Sequence, residues 1–305
     1  MSIESTAATE SFQSQGVSTV TVSPWQVIYW SIRREFWEYR SIYLVPPIAA
    51  ALGVIGFVLG LGHRASINPP EPPTQHSLLQ PYMMVAGLCM VAAMFVAVFY
   101  CLDTLNGENR DRSILFWKSM PVSDLTAVLA KASIPLLILP LISVLSIFVA
   151  HLLMLLISLP FWSASTLGLG AAWKQVSFLH MSALVLYHLV IVHGLWHAPF
   201  YAWMLMVSAW AKRAPLLWAF LPPAALAIFE KIAFNSMHFV NLLGYQLTGG
   251  GDMASSTAAE STPVDMLGHF DLLEMFTTPG LWPGLLIAAL FLYLAARFRR
   301  SRGPF

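Results

Sequence analysis

Two groups of side chains in this sequence could do chemistry. One lies in an apolar run, 181–210, where His193, His197, Tyr201 and Ser208 fall within an arc of about 80° at 100° per residue of helix. Histidines at i,i+4 can share a metal ion, and ionisable groups inside an apolar run are otherwise candidates for a substrate or proton path. The local pattern is His-Gly-Leu-Trp-His, with no glutamate after the first histidine and no acid in the run. A third ligand and a general base are therefore missing, and no metal site is expected. His193, His197 and Tyr201 read either as a hydrogen-bonded stripe facing the protein interior or as the lining of a substrate path, to which Trp196, Phe200 and Trp203 would add aromatic surface.

The other group is the stretch 103–131, which holds Asp103, Glu108, Arg110, Asp111, Arg112, Lys118, Asp124 and Lys131 between two long apolar runs. A charge at a bilayer centre costs about 2.5–3.5 kcal/mol, so most of this stretch is expected in water beside a membrane. Asn106-Gly107 reads as the stop of the preceding helix, since both residues accept the left-handed conformation that closes one. A short helix then starts near Glu108, with Glu108, Asp111 and Arg112 on one side and Ile114 and Trp117 opposite, the pattern of a helix lying flat on lipid. Glu108 and Arg112 are spaced for an i,i+4 pair. Pro121 ends that helix, and Ser123 caps the next one, which climbs back through Leu125, Val128 and Leu129. A solvated loop with interfacial anchors is the plainer alternative.

The elements that must position these groups are apolar helices. Of the 305 residues 57% are hydrophobic and 10% charged, against about 25% charged in soluble proteins, which marks a polytopic membrane protein. The formal charge of +1 implies no nucleic-acid partner. The cysteines, Cys89 and Cys101, stand about 18 Å apart along one helix and cannot bridge each other.

Residues 1–22 form a polar tail, expected to be disordered and cytoplasmic, without the basic and apolar regions of a signal peptide. Ser23-Pro24 opens an amphipathic interfacial helix over 23–40, in which Trp25, Ile28, Tyr29, Ile32, Phe36 and Tyr39 share a face. Six spans follow, near 44–62, 81–102, 132–159, 181–210, 215–228 and 281–296, with Pro135 and Pro140 as expected kinks in the third. In the first span Ala49, Gly53, Gly56 and Gly60 make one stripe of small residues, which serves either for packing on a neighbouring span or as the seam of a homodimer.

Six spans put both termini on one side. With that side in the cytosol, all of the 16 lysines and arginines except Arg64, Lys174 and Lys231 lie inside, a strong positive-inside bias. It places 104–125 in the cytosol and 230–279 outside. The outer segment carries Gly249-Gly250-Gly251 and then apolar residues such as Met266, Leu267, Phe270, Leu272 and Leu273, read as a flexible insertion followed by a short amphipathic helix.

The run Glu108-Asn109-Arg110-Asp111-Arg112-Ser113-Ile114-Leu115, then Lys118-Ser119-Met120-Pro121-Val122-Ser123 and Lys131, resembles the first cytoplasmic loop of the ABC-2 type permeases, the membrane subunits of bacterial ATP-binding-cassette exporters. Arg112-Ser113 stands where many members have Gly-Thr. The resemblance implies an all-α fold of six transmembrane helices, an interfacial helix ahead of the first, and a coupling helix over 108–121 that docks into a groove of a separate ATPase subunit. It implies that Glu108, Arg110, Asp111, Arg112, Leu115, Lys118 and Pro121 make that contact, and that ATP and Mg are bound only by the partner. A homodimer or pseudo-dimer of permeases in the bacterial inner membrane is implied too, with the outer segment folding back toward the membrane near the exit.

No Gly-x-x-x-x-Gly-Lys-Ser/Thr pattern occurs, so the chain is expected to be non-catalytic and to draw energy from a partner or an ion gradient. Three readings stay open. They are the permease subunit of an exporter, a gradient-driven transporter with His151 and the histidines of 181–210 as proton carriers, and an intramembrane metalloenzyme on His193 and His197.

Overall fold

Ser23 precedes the first helix, α1 (Pro24–Glu38), where the sequence predicts it, and the Gln26 side chain accepts from the Ser23 N–H at 3.3 Å. The structure, a computed structural model, describes residues 23–67, 75–111, 122–163, 178–247, 276–278 and 280–301, and the elements among them are helices. After α1 come α2 (Ser41–Ile67) and α3 (Gln75–Arg110). Next, α4 (Asp124–Ser133) continues through a π-helical turn (Ile134–Ile138) into α5 (Leu139–Ser163). In the same way α6 (Phe178–Tyr187) continues through a π-helical segment (His188–Trp196) into α7 (Ala198–Trp210). The chain then forms α8 (Pro215–Phe234), α9 (His238–Leu247) and α10 (Leu281–Ser301). The tail 1–22, Gly249-Gly250-Gly251 and the run Met266–Leu273 lie outside the described residues.

Five helical stretches are long and apolar enough to cross a membrane: Ser41–Gly62, Leu78–Arg110, Asp124–Pro160, Pro215–Phe234 and Leu281–Ser301. A sixth is made by Met181–Trp196 and Ala198–Trp210 if the pair, bent by 47°, is taken as one span. α3 is the central post, packed on α2, α5, α7 and α8, and its Tyr82, Val85, Cys89, Ala93, Ala97, Cys101 and Leu105 are all buried. α7 lies between α3 and α10. α8 is marginal, with Ala219 its one buried residue.

Several expected boundaries shift, each for a local reason. The second span does not stop at Asn106-Gly107 but runs on to Arg110. There the end of α3 is held from the side: Asn106 Nδ2 donates to Ala211 O at 2.6 Å, and Ser208 Oγ donates to Leu102 O at 2.7 Å while accepting from Asn106 N at 3.0 Å. The Ser208 hydroxyl thus bridges the Leu102–Asn106 rung, and Asn106 bonds across the bundle instead of closing its own helix. No separate helix starts at Glu108.

The third span begins at Asp124, not near 132, with Ser123 Oγ capping it by accepting from Thr126 N at 3.1 Å. The disturbance expected from Pro135 is absorbed as the wide turn Ile134–Ile138, and the stretch Asp124–Pro160 still passes as one span. α8 continues past 228 to Phe234, where Asn235 adopts a left-handed φ of 48° and ends it.

The stripe on α2 divides its roles. Ala49 is buried, and a Cβ on Gly53 would stand 2.8 Å from Val85 Cγ2, so this half packs on α3. Gly56 and Gly60 have nothing within 4 Å of an added Cβ. They line an open groove of about 580 Å³ with Leu52, Phe57, Met84 and Leu88. Gly53→Ala is therefore expected to lower thermal stability in detergent by about 1–3 kcal/mol through overpacking, because Val85 is buried and β-branched. Gly56→Ala is expected to keep it or to gain up to about 1 kcal/mol in helix propensity. Paired melting curves check the contrast.

Candidate functional site

The residues with the most demanding environment are charges at one end of the bundle. In α1, Ile28, Ile32, Glu35 and Phe36 fall on one face, at i, i+4, i+7 and i+8. In α3, Cys101, Leu105 and Glu108 do so, in α4 Val128 and Lys131, and in α10 Ala295, Ala296 and Arg299. Each helix that buries those apolar residues must bury the charge beside them. Glu108, Glu35, Lys131 and Arg299 accordingly have side chains exposed by only 1%, 3%, 3% and 6%.

They bury one another. Lys131 Nζ reaches Glu35 Oε1 at 2.8 Å, Thr104 Oγ1 at 2.7 Å and Glu108 Oε1 at 3.3 Å. Glu108 Oε1 also pairs with Arg34 Nη2 at 2.9 Å, and its Oε2 with Arg299 Nη2 at 3.3 Å. Arg299 Nη1 donates to Asp124 Oδ1 at 2.6 Å. The Tyr100 and Thr104 hydroxyls donate to Glu35 Oε2 at 2.8 and 3.2 Å. The buried part of the cluster holds the carboxylates of Glu35, Glu108 and Asp124 against the cations of Arg34, Lys131 and Arg299, and the exposed Glu38 adds a fourth carboxylate at the rim, 3.1 Å from Arg34.

Desolvating isolated charges like these costs several kcal/mol each, which only such mutual pairing with added hydrogen bonds can offset. At the rim, burial works against the Arg34 charge, but Glu108, Glu35 and Glu38 outweigh it and raise its pKa. Burial likewise pushes up the Tyr39 phenol, which donates to Asp103 Oδ2 at 3.2 Å, and the Asp103 charge adds to the rise.

This corrects the expectation of a surface loop. Glu108 is not on the polar side of a helix lying flat on lipid: it is the centre of the cluster, shared by three helices besides its own. Lys131 is equally dry, and Asp124 is half-buried. Arg110 and Asp111 are exposed at the end of α3 and paired with each other at 3.3 Å. Arg112, Leu115, Lys118 and Pro121, with the expected Glu108–Arg112 pair, lie outside the described residues. Glu35, Tyr100 and Thr104 went unnoticed in the sequence, and Arg299 counted there only as a positive charge. Their signal was a polar residue at helical spacing among apolar ones.

The second group of candidates also assembles, at the bend of the broken span. The His193 and His197 ring centroids are 5.3 Å apart, and Tyr201 is 6.3 Å from each. Ser208 is not with them, being engaged on α3. His197 Nδ1 faces Val192 O at 2.9 Å and Nε2 faces Leu247 O at 3.0 Å, so neither nitrogen is open to a metal. Among the described residues no group of three or more His, Cys, Asp or Glu side chains could hold one.

α9 clasps this bend. Trp196 Nε1 donates to Tyr245 O at 3.4 Å and Gln246 Nε2 to Trp196 O at 2.7 Å. α9 is itself started by Glu230, whose carboxylate accepts from Ser236 Oγ, His238 N and Phe239 N at 2.7–2.8 Å. Tyr245 and Gln246 pack at Gly280 and Gly284, while Arg299 lies about 22 Å beyond Gly284 along α10 at 1.5 Å per residue. The clasp and the ion cluster thus sit toward opposite ends of the bundle.

Fold and site together define an all-helical, multi-pass membrane protein with a charged cluster at one end and a broken span near the other. Compared with protein-family models, curated proteins and solved structures, the chain matches none.

Proposed function

We propose that the chain is the membrane-spanning permease subunit of a bacterial ABC exporter, driven by a separate ATPase subunit, with two permeases forming the path. The observation that carries this reading is where the ion cluster sits. Glu108 and Asp124 lie on the two helices joined by 112–121, and Arg299 ties both to α10. Arg34 ties Glu108 to α1, and Lys131 ties α1 to α4. A push received on 112–121 would reach four helices at once through charges that cannot separate cheaply in a dry environment. Arg110, Asp111, Arg112, Leu115, Lys118 and Pro121 then make the docking surface, and Glu108 transmits instead of docking. ATP and Mg belong to the partner. The charged end and both termini are cytosolic in this reading, and the chain resides in the inner membrane. His193, His197 and Tyr201 lie along the path toward the clasped exit.

Arg110→Glu combined with Asp111→Lys tests it, because both residues are exposed and the swap spares the buried cluster. In wild type, affinity purification of the tagged chain from its own membranes should bring down ATP-hydrolysing activity. The double variant should lose most of it with an unchanged Tm. Full retention after scrambling 112–121 as well would sink the proposal.

A gradient-driven transporter is the second reading, favoured by the burial of Glu35, Glu108 and Lys131 among the helices, where ionisable groups can carry protons. Transport that survives ATP depletion and stops with an uncoupler would select it.

A further inference from the structure

We propose that the outer face of α1 seats the phosphate of an anionic phospholipid on Arg33, between Trp30 and Trp37. The Arg33 guanidinium carbon stands 5.0 Å from the Trp30 ring centroid and 5.2 Å from that of Trp37. The residues follow at i, i+3 and i+7 on one face. Arg34, the next residue, turns into the ion cluster, whereas Arg33 is exposed and pairs with no carboxylate among the described residues.

Two aromatic rings hold the guanidinium by cation–π attraction without consuming its N–H donors. What is left is a planar fork fixed in direction, the geometry that binds a phosphate through two hydrogen bonds. The surroundings name the source of that phosphate. Trp25, Tyr29, Trp30 and Trp37 are 78%, 58%, 57% and 72% exposed, a density of large aromatics that water disfavours and the headgroup layer accepts. α1 ends at Glu38 and the first span starts at Ser41, so this face lies at the level where the chain enters the bilayer. A cation presented there meets lipid headgroups first. The seat does not depend on whether an ATPase drives the protein.

Native mass spectrometry of the full chain, titrated with phosphatidylglycerol and with phosphatidylcholine of the same acyl chains, tests this. Wild type should hold the first phosphatidylglycerol about five-fold more tightly than phosphatidylcholine, the scale of one cation at a membrane surface. Arg33→Gln should erase that preference while leaving phosphatidylcholine binding and Tm unchanged, and Arg213→Gln, which removes an exposed cation elsewhere, should leave the preference intact. The proposal is overturned by no preference in wild type, by an undiminished preference in Arg33→Gln, or by an equal fall in Arg213→Gln, which would mean diffuse attraction. It is also overturned if Arg33→Gln spares lipid binding but loses a co-purifying protein, since the face would then belong to that partner.

Discussion

Glu108→Ala is expected to destabilise the protein by about 3–5 kcal/mol, more than any other single change in the ion cluster. Glu108 is the one carboxylate shared by Arg34, Lys131 and Arg299, at 2.9, 3.3 and 3.3 Å, and its side chain is 1% exposed. Without it, the buried Lys131 and Arg299 keep only Glu35 and Asp124, and Arg34 keeps the exposed Glu38 at 3.1 Å, so the shared counter-charge is lost where little water reaches. At 2–4 °C per kcal/mol the Tm in detergent should fall by more than about 5 °C. Glu108→Gln keeps the shape but not the charge and should fall between. Asp124→Ala should cost about 1 kcal/mol or less, because Asp124 is 24% exposed and pairs with Arg299 alone. Adding Arg299→Met to Glu108→Ala removes a buried cation that has lost one of its two carboxylates and should recover part of the loss. A Tm for Glu108→Ala within a degree of wild type would mean that these charges are solvated after all.

The same residues measure how much the sequence disclosed. Composition and apolar runs located the spans, because a helix in lipid must be apolar along most of its length whatever it packs against. The start at Ser23-Pro24 and the cap at Ser123 were legible for a different reason, since both are satisfied within a few residues. The end of α3 was not legible. Asn106-Gly107 has the chemistry of a helix stop, and only the Ser208 hydroxyl and Ala211 carbonyl, about a hundred residues away in sequence, turn it into a helix interior. Glu108 and Lys131 were visible as charges but not as buried ones, because the penalty for burying a charge disappears only once its partners are known, and those are on other helices. Glu35 could have been found: it lies on the apolar face of α1 beside Ile32 and Phe36, where lipid would not tolerate it. The spacing brings His193, His197 and Tyr201 together, but the arc that also included Ser208 ignores height: Ser208 stands two turns, about 10.5 Å, beyond Tyr201 along α7 and bonds to α3 instead.

Gly194→Ala carries the second large effect, at the place where the two irregular turns meet. A Cβ on Gly194 would stand 2.5 Å from the carbonyl oxygen of Leu136, a backbone atom that no rotamer change can move aside. That carbonyl belongs to the π-helical turn Ile134–Ile138, and the residue four positions on is Pro140, which has no N–H to give it. The segment His188–Trp196 therefore lies against a widened turn whose shape depends on a proline, and only glycine lets the backbones come this close. The methyl group should cost about 1–3 kcal/mol in detergent and push the two turns apart, changing the bend at His197 and with it the hold of Leu247 O on that ring. Leu136→Ala should not rescue the variant, because the clash is with main chain. Pro140→Ala should rescue part of it, by supplying an N–H to Leu136 O and letting the turn relax toward α-helix. If the bend moves during transport, turnover in vesicles should fall further than the Tm shift explains, and the Pro140→Ala revertant should regain stability before it regains rate. A Gly194→Ala protein as stable as Gly56→Ala would show that this seam is open.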